Sequence, residues 1–181
     1  MSRWLDFYRG EGIDEAGRTL AAYWAFSDDE MEVIHDFIQW MFPLREPSRF
    51  NPNAPRLTDR DITEFQSDPR LRANLLRSLD RFLGFLGLER SGGEVVKSAR
   101  FSARRQLWSH PNHNWLRVTR VLHSLRLLGL DAEAQAVFTF LKSHIESGES
   151  GIDSGTFRYW RDAATSGRAG PTGVLPGRGA C

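Results

Sequence analysis

Residues 38–55 read IQWMFPLREPSRFNPNAP and carry Trp40, Met41, Phe42, Leu44 and Phe50 among four prolines. Proline fixes φ and disfavours helix in the residue before it, so the backbone here runs extended or turning. The stretch is too apolar for a solvated linker, and buried irregular backbone needs partners for its N–H and C=O groups. These features predict a rigid apolar strap laid across a helical body, with Arg45 and Glu46 held in place near its middle.

Upstream, Ser27-Asp28-Asp29-Glu30 is a capping box, with acidic residues where the positive end of a helix dipole stabilises them. From it Met31, Ile34, Phe37, Ile38 and Met41 recur at three- and four-residue spacing. This predicts one helix running into the strap and stopped by Pro43. Further back, Trp4, Leu5, Phe7 and Tyr8 precede two glycines and are expected to dock on the body, and Asp14 is expected to cap a short helix ending near Tyr23.

Downstream, Thr58 with Asp61 repeats the capping pattern, and Asp68-Pro69 opens a long helix by the cap-plus-proline rule. On that helix Leu71, Leu75, Leu76, Leu79, Phe82, Leu83 and Leu86 line one face, and Gly87 stands where a left-handed cap is wanted. Ser91-Gly92-Gly93 reads as a flexible corner. From Glu94 to about Leu107 the spacing of Val95, Ala99 and Ala103 predicts another helix, with Lys97, Arg100, Arg104 and Arg105 outward. Asn112-His113-Asn114 then precedes an apolar helix from Leu116 to Leu128, and Asp131 begins a last long helix through Leu141. No strict apolar and polar alternation is found, which makes the expectation an all-α single compact domain over 1–165, with about six main helices and a long proline-rich buried connection. Residues 166–181, rich in glycine and proline, are expected to be disordered.

Composition agrees with a globular chain. In 181 residues it is 40% hydrophobic and 26% charged, with a net charge of +1, so no long-range field dictates an acidic or basic partner. A nucleic-acid partner is not signalled, although arginines cluster at 100–105 and 117–126. Cys181 is the only cysteine, which excludes an intrachain disulfide and a cysteine zinc site. No apolar run approaches the roughly 20 residues of a membrane span, and no leader opens the chain, so a cytoplasmic protein is expected.

Three segments carry a resemblance: IQWMFPLREPS, LRSLDRFLGFLGL and NHNWLRVTRVLHSLRLLGL, supported by FYRG and YWAFSDDEMEVIHDFIQW. Together they resemble the conserved region of the opioid growth factor receptor family over roughly Tyr8 to Leu141. The resemblance implies a receptor for an enkephalin-type peptide, described in vertebrates as restraining proliferation at the nuclear envelope and nucleus and unrelated to the seven-helix opioid receptors. The chain stops soon after this region, without a long repeat array, and in that resembles compact microbial members. No catalytic motif comes with the family, and no cofactor is implied.

Candidate ligand contacts are His35, Trp40, Arg45, Glu46, Asn53, Asn112, His113, Asn114 and Arg117. The Asn112-His113-Asn114 knot is read as a helix cap whose free N–H groups, with Arg117 and no nearby acid, can also hold an anion. On that reading Arg117 serves a ligand and matters little to stability. A metal would require a third ligand and a defined outer shell, neither of which adjoins His110 and His113 in sequence. The leading expectation is a binding module for a short peptide or small anionic ligand in a groove beside the strap. An enzyme using His35, Arg45, Glu46 and the knot is the alternative, and a nucleic-acid or regulatory interaction module using the arginine face is a third.

Overall fold

In a computed structural model, which describes residues 2–165, helices are built around two long central elements. One is the helix Pro69–Phe85, and the other is the pair of helices His113–Leu127 and Asp131–Glu146. In chain order the elements are α1 (Arg3–Arg9), α2 (Leu20–Ala25), α3 (Asp28–Val33), α4 (Phe37–Met41), α5 (Asp59–Ser67), α6 (Pro69–Phe85), β1 (Leu88–Ser91), β2 (Glu94–Lys97), α7 (Phe101–Arg104), α8 (Gln106–Ser109), α9 (His113–Leu127), α10 (Asp131–Glu146) and α11 (Ser154–Thr165). The all-α expectation holds, with a small hairpin added. Residues 166–181, expected to be disordered, lie outside the described residues.

The helix starts follow local chemistry. Ser27 with Glu30 and Thr58 with Asp61 form complete capping boxes, Asp68 caps α6 ahead of Pro69, and Asn112 caps α9. Asp14 does not cap α2. Thr19 does, while the buried Asp14 carboxylate closes a turn by accepting from Ala16 N, Arg18 N and Tyr23 Oη.

α1 and α5 pack on α6, while α10 and α11 pack on α9. Buried indoles knit these layers together. Trp4 donates to Trp40 O, Trp108 to Leu86 O, Trp115 to Leu107 O and Trp160 to Trp115 O, at 2.8–3.1 Å. Each ring thus buries its large apolar area while its single N–H satisfies a backbone acceptor on another segment.

The structure corrects three further expectations. Residues 94–97 are not helical: they pair antiparallel with β1, in the register Glu89 with Val96 and Arg90 with Val95. Gly92 and Gly93, with φ of 57° and 86°, make the two-residue turn whose twist suits a hairpin, and the adjacent Val95 and Val96 favour a strand. The helix after the capping box is broken at Ile34 (φ −86°, ψ 122°) and resumes as α4. The strap is buried only through Pro43. Beyond it the chain turns outward, Ser48 Oγ accepting from Phe50 N and Asn51 N, and Phe50 is 81% exposed.

Candidate functional site

At the start of α9 five of the nine anticipated residues meet: His35, Asn112, His113, Asn114 and Arg117. Asn112 Oδ1 accepts from Asn114 N at 3.0 Å, which uses the amide that an anion would need. Buried Asn114 turns its Nδ2 to Glu32 Oε2 at 3.1 Å, and His113 Nε2 lies 3.4 Å from Glu32 Oε1, an ion pair once the ring is protonated. The exposed His35 ring stands 5.0 Å from that of His113. Glu32 therefore brings an acid to a knot that has none beside it in sequence.

Arg117 is 5% exposed and faces inward. Its guanidinium donates to Met31 O at 2.6 Å, Ile34 O at 2.9 Å and Asn114 Oδ1 at 2.9 Å, and lies over the Phe37 ring. Burial pushes its pKa down to about 10. Burial, with Arg117 adding to it and Glu32 opposing, also holds His113 below the ordinary histidine range. Arg117 is thus the tie that stabilises the break between α3 and α4, which corrects its expected role as a contact of little structural weight.

The other anticipated residues lie apart. Trp40 is buried and donates to Glu15 Oε2 at 2.8 Å. Arg45 pairs with Asp59 at 2.6 Å, and exposed Asn53 sits in the outward turn. Glu46 opposes the burial that pushes Arg120 down to about 10, while Arg120 donates to Phe42 O at 3.1 Å. Arg45 and Glu46 do not join His35 and His113, and among the described residues no cluster of three or more ligand-type side chains could hold a metal ion.

A concavity lies elsewhere among the described residues. A cleft of about 790 Å³ runs along α6 between the hairpin and the start of α10. It continues into a second space of about 470 Å³ at the start of α3, and the two share Asp80, Gly84 and Arg100. Gly84 forms part of the floor, and a Cβ added there would meet nothing within 4 Å. Strand β1 and Gly92-Gly93 form one wall, with Ala132, Glu133 and Ala136 opposite. Arg90 grips Asp80 through two bonds of 2.6 and 2.8 Å.

At the α3 end, Arg81 donates to Asp28 Oδ1 at 3.0 Å and to Phe26 O, Arg100 bonds the same carboxylate, and Arg104 Nη1 lies 4.0 Å from it. Burial acts to raise the Asp28 carboxyl, but the bonds from Arg81 and Arg100 outweigh it and hold it below the ordinary range. No sequence motif marks this cleft. Its available signals were Gly84 inside a strong helix, where glycine costs about 1 kcal/mol against alanine, and the arginines at 100 and 104.

The family model for the opioid growth factor receptor (OGFr) conserved region matches residues 6–167. The chain belongs to the opioid growth factor receptor conserved-region family. The mouse opioid growth factor receptor is 39% identical over 134 residues, covering 70% of this chain and 21% of that protein. The human receptor is 39% identical over 111 residues, covering 60% of this chain and 16% of the relative. Mouse opioid growth factor receptor-like protein 1 is 32% identical over 120 residues, 65% of this chain and 26% of that protein. The matched region is thus about a quarter or less of each relative's length. No solved structure matches. In the family region the seam at Glu32 and His113 and the cleft along α6 are joined by α3, since Asp28 and Glu32 are four residues apart and share one helix face.

Proposed function

We propose that this opioid growth factor receptor family domain is a binding module that takes a short peptide in the cleft along α6. The observation that carries the reading is the cleft itself: its volume lies in the range of small-ligand sites, and the residues of strand β1 form one wall. Backbone of this kind offers an extended peptide main-chain hydrogen bonds, while the side walls sort side chains. Charges of both signs line it, with Glu89 on the hairpin, Glu133 on α10 across from it and bonded by Arg72, and Arg81 and Arg100 toward α3, which suits a ligand carrying both an ammonium and a carboxylate. The mouse and human relatives are named as receptors for opioid growth factor, so an enkephalin-type peptide is the first probe to use.

Other roles draw less support. The arginine face expected to meet nucleic acid is interrupted, because Arg117 and Arg120 turn onto backbone carbonyls and Arg126 pairs with Asp131 at 2.7 Å. No described helix is long and apolar enough to cross a membrane.

Gly84 provides the test. Gly84→Ala should raise stability by about 0.5–1 kcal/mol through helix propensity and leave calorimetric binding intact. Gly84→Phe should fold as well, because the position opens into space, and should abolish binding by filling the cleft. Wild-type affinity retained in Gly84→Phe would place the ligand elsewhere.

A further inference from the structure

The α3 end of the cleft has an imbalance of charge. Three guanidinium groups, those of Arg81, Arg100 and Arg104, surround the single carboxylate of Asp28. The next acid, Asp80, is already taken bidentately by Arg90. The cluster therefore keeps about two positive charges without a local partner, two of its three guanidinium groups lying on largely buried side chains where screening by water is weaker.

Two of the three groups are fixed. Arg81 directs Nε and Nη2 to Phe26 O at 3.2 and 2.7 Å, and Arg104 directs Nε to Phe85 O at 2.8 Å while its guanidinium lies 4.7 Å from the Phe85 ring centre. Their side chains are 16% and 15% exposed, so they are held in position before any ligand arrives. Arg100 differs. Its side chain is 59% exposed, it borders both cleft spaces, and it meets Asp28 through one terminal nitrogen of a group that carries five N–H donors. Arginine presents a planar fork matched to two oxygens of a carboxylate, and that bidentate capacity is not used up here.

We infer that Arg81, Arg100 and Arg104 form an oxyanion subsite at the α3 end of the cleft that takes a carboxylate of the bound peptide, with Asp28 as its resident occupant. This rests on the cleft reading above for the peptide, though not for the anion. An incoming carboxylate is gripped by Arg100, which borders both cleft spaces, with the charge of Arg104 behind it, and Arg81 retains Asp28. Because Asp28 competes for the same donors, it lowers the affinity of the subsite and sets a threshold for occupancy.

The test uses the full chain with acetate and inorganic phosphate as free anions, and an enkephalin-type peptide as free acid and as C-terminal amide. Arginine Nε–Hε resonances report the anions, and calorimetry reports the peptides. Millimolar acetate or phosphate should shift the Arg100 signal. Arg100→Gln should weaken the anion about tenfold, and Asp28→Asn should tighten it by a similar factor, as expected when one charge-assisted hydrogen bond or one competing carboxylate is taken away. A purely structural ion cluster would give the opposite for Asp28→Asn, with disorder of α3 and no gain in affinity, and that result overturns the inference. If the acid form binds about tenfold better than the amide, the carboxylate is the peptide's terminus; if both bind alike yet lose affinity in Arg100→Gln, it is an acidic side chain. Anion shifts with no peptide binding would uphold the subsite while removing the cleft reading. Peptide binding in the cleft that is indifferent to Arg100→Gln would do the reverse.

Discussion

Replacing Arg117 by alanine should cost about 3–5 kcal/mol, the range for stripping one partner from a buried charged arrangement. The magnitude follows from the three acceptors on its guanidinium. Met31 O and Ile34 O sit at the break between α3 and α4, and the Asn114 amide accepts from Arg117 through Oδ1 while donating to Glu32 through Nδ2. Leaving each buried carbonyl unpaired costs about 1–3 kcal/mol, and removing the cation from the face of the Phe37 ring adds roughly 0.5–1 kcal/mol. Water entering the vacated space recovers part of this total. Arg117→Lys is the informative companion, because an ammonium keeps the charge but cannot span carbonyls three residues apart with a fixed fork. Urea denaturation should place the lysine variant between wild type and alanine at an unchanged m-value. A loss below about 1 kcal/mol for Arg117→Ala would refute the view that this side chain stabilises the break.

Two further outcomes follow from packing and charge. Gly87 has φ of 80°, and a Cβ there would stand 2.8 Å from Phe101 Cα, so Gly87→Ala should cost about 2–4 kcal/mol by thermal melting and loosen the seat of Arg104. His144 is enclosed by the rings of Phe101, Trp108 and Phe140, with no hydrogen-bond partner on either nitrogen, and burial, assisted by Lys97 and opposed by Glu149, lowers its pKa from the ordinary 6.5. The unfolded chain then binds the proton first, so stability should fall as pH drops below about 6.5, and His144→Phe should remove that part of the slope in denaturation series between pH 5 and 8.

Local chemistry made the helix starts legible. Ser27, Thr58, Asp68 and Asn112 all cap as their neighbours require, because a cap is decided within about four residues. Long-range causes were not legible. The apolar spacing from Met31 to Met41 continues straight across Ile34, and what breaks the helix there is an arginine 83 residues away. Val95, Ala99 and Ala103 mimic a helical stripe, but Gly92-Gly93 ahead of two valines outweighs it once β1 lies alongside. The candidate site divides the same way. His35, His113, Asn114 and Arg117 do assemble, yet their chemistry is set by Glu32, some 82 positions before Asn114. The cleft is formed by α6, the hairpin and α10 together, so no contiguous motif could announce it.

Amide shifts of the ¹⁵N-labelled chain during titration with an enkephalin-type peptide test the cleft most directly. Saturable changes should concentrate at residues 80–104 and 132–136, with little change at 112–117. Absence of any saturable shift at millimolar peptide, or shifts confined to residues 112–117, would contradict a ligand site along α6.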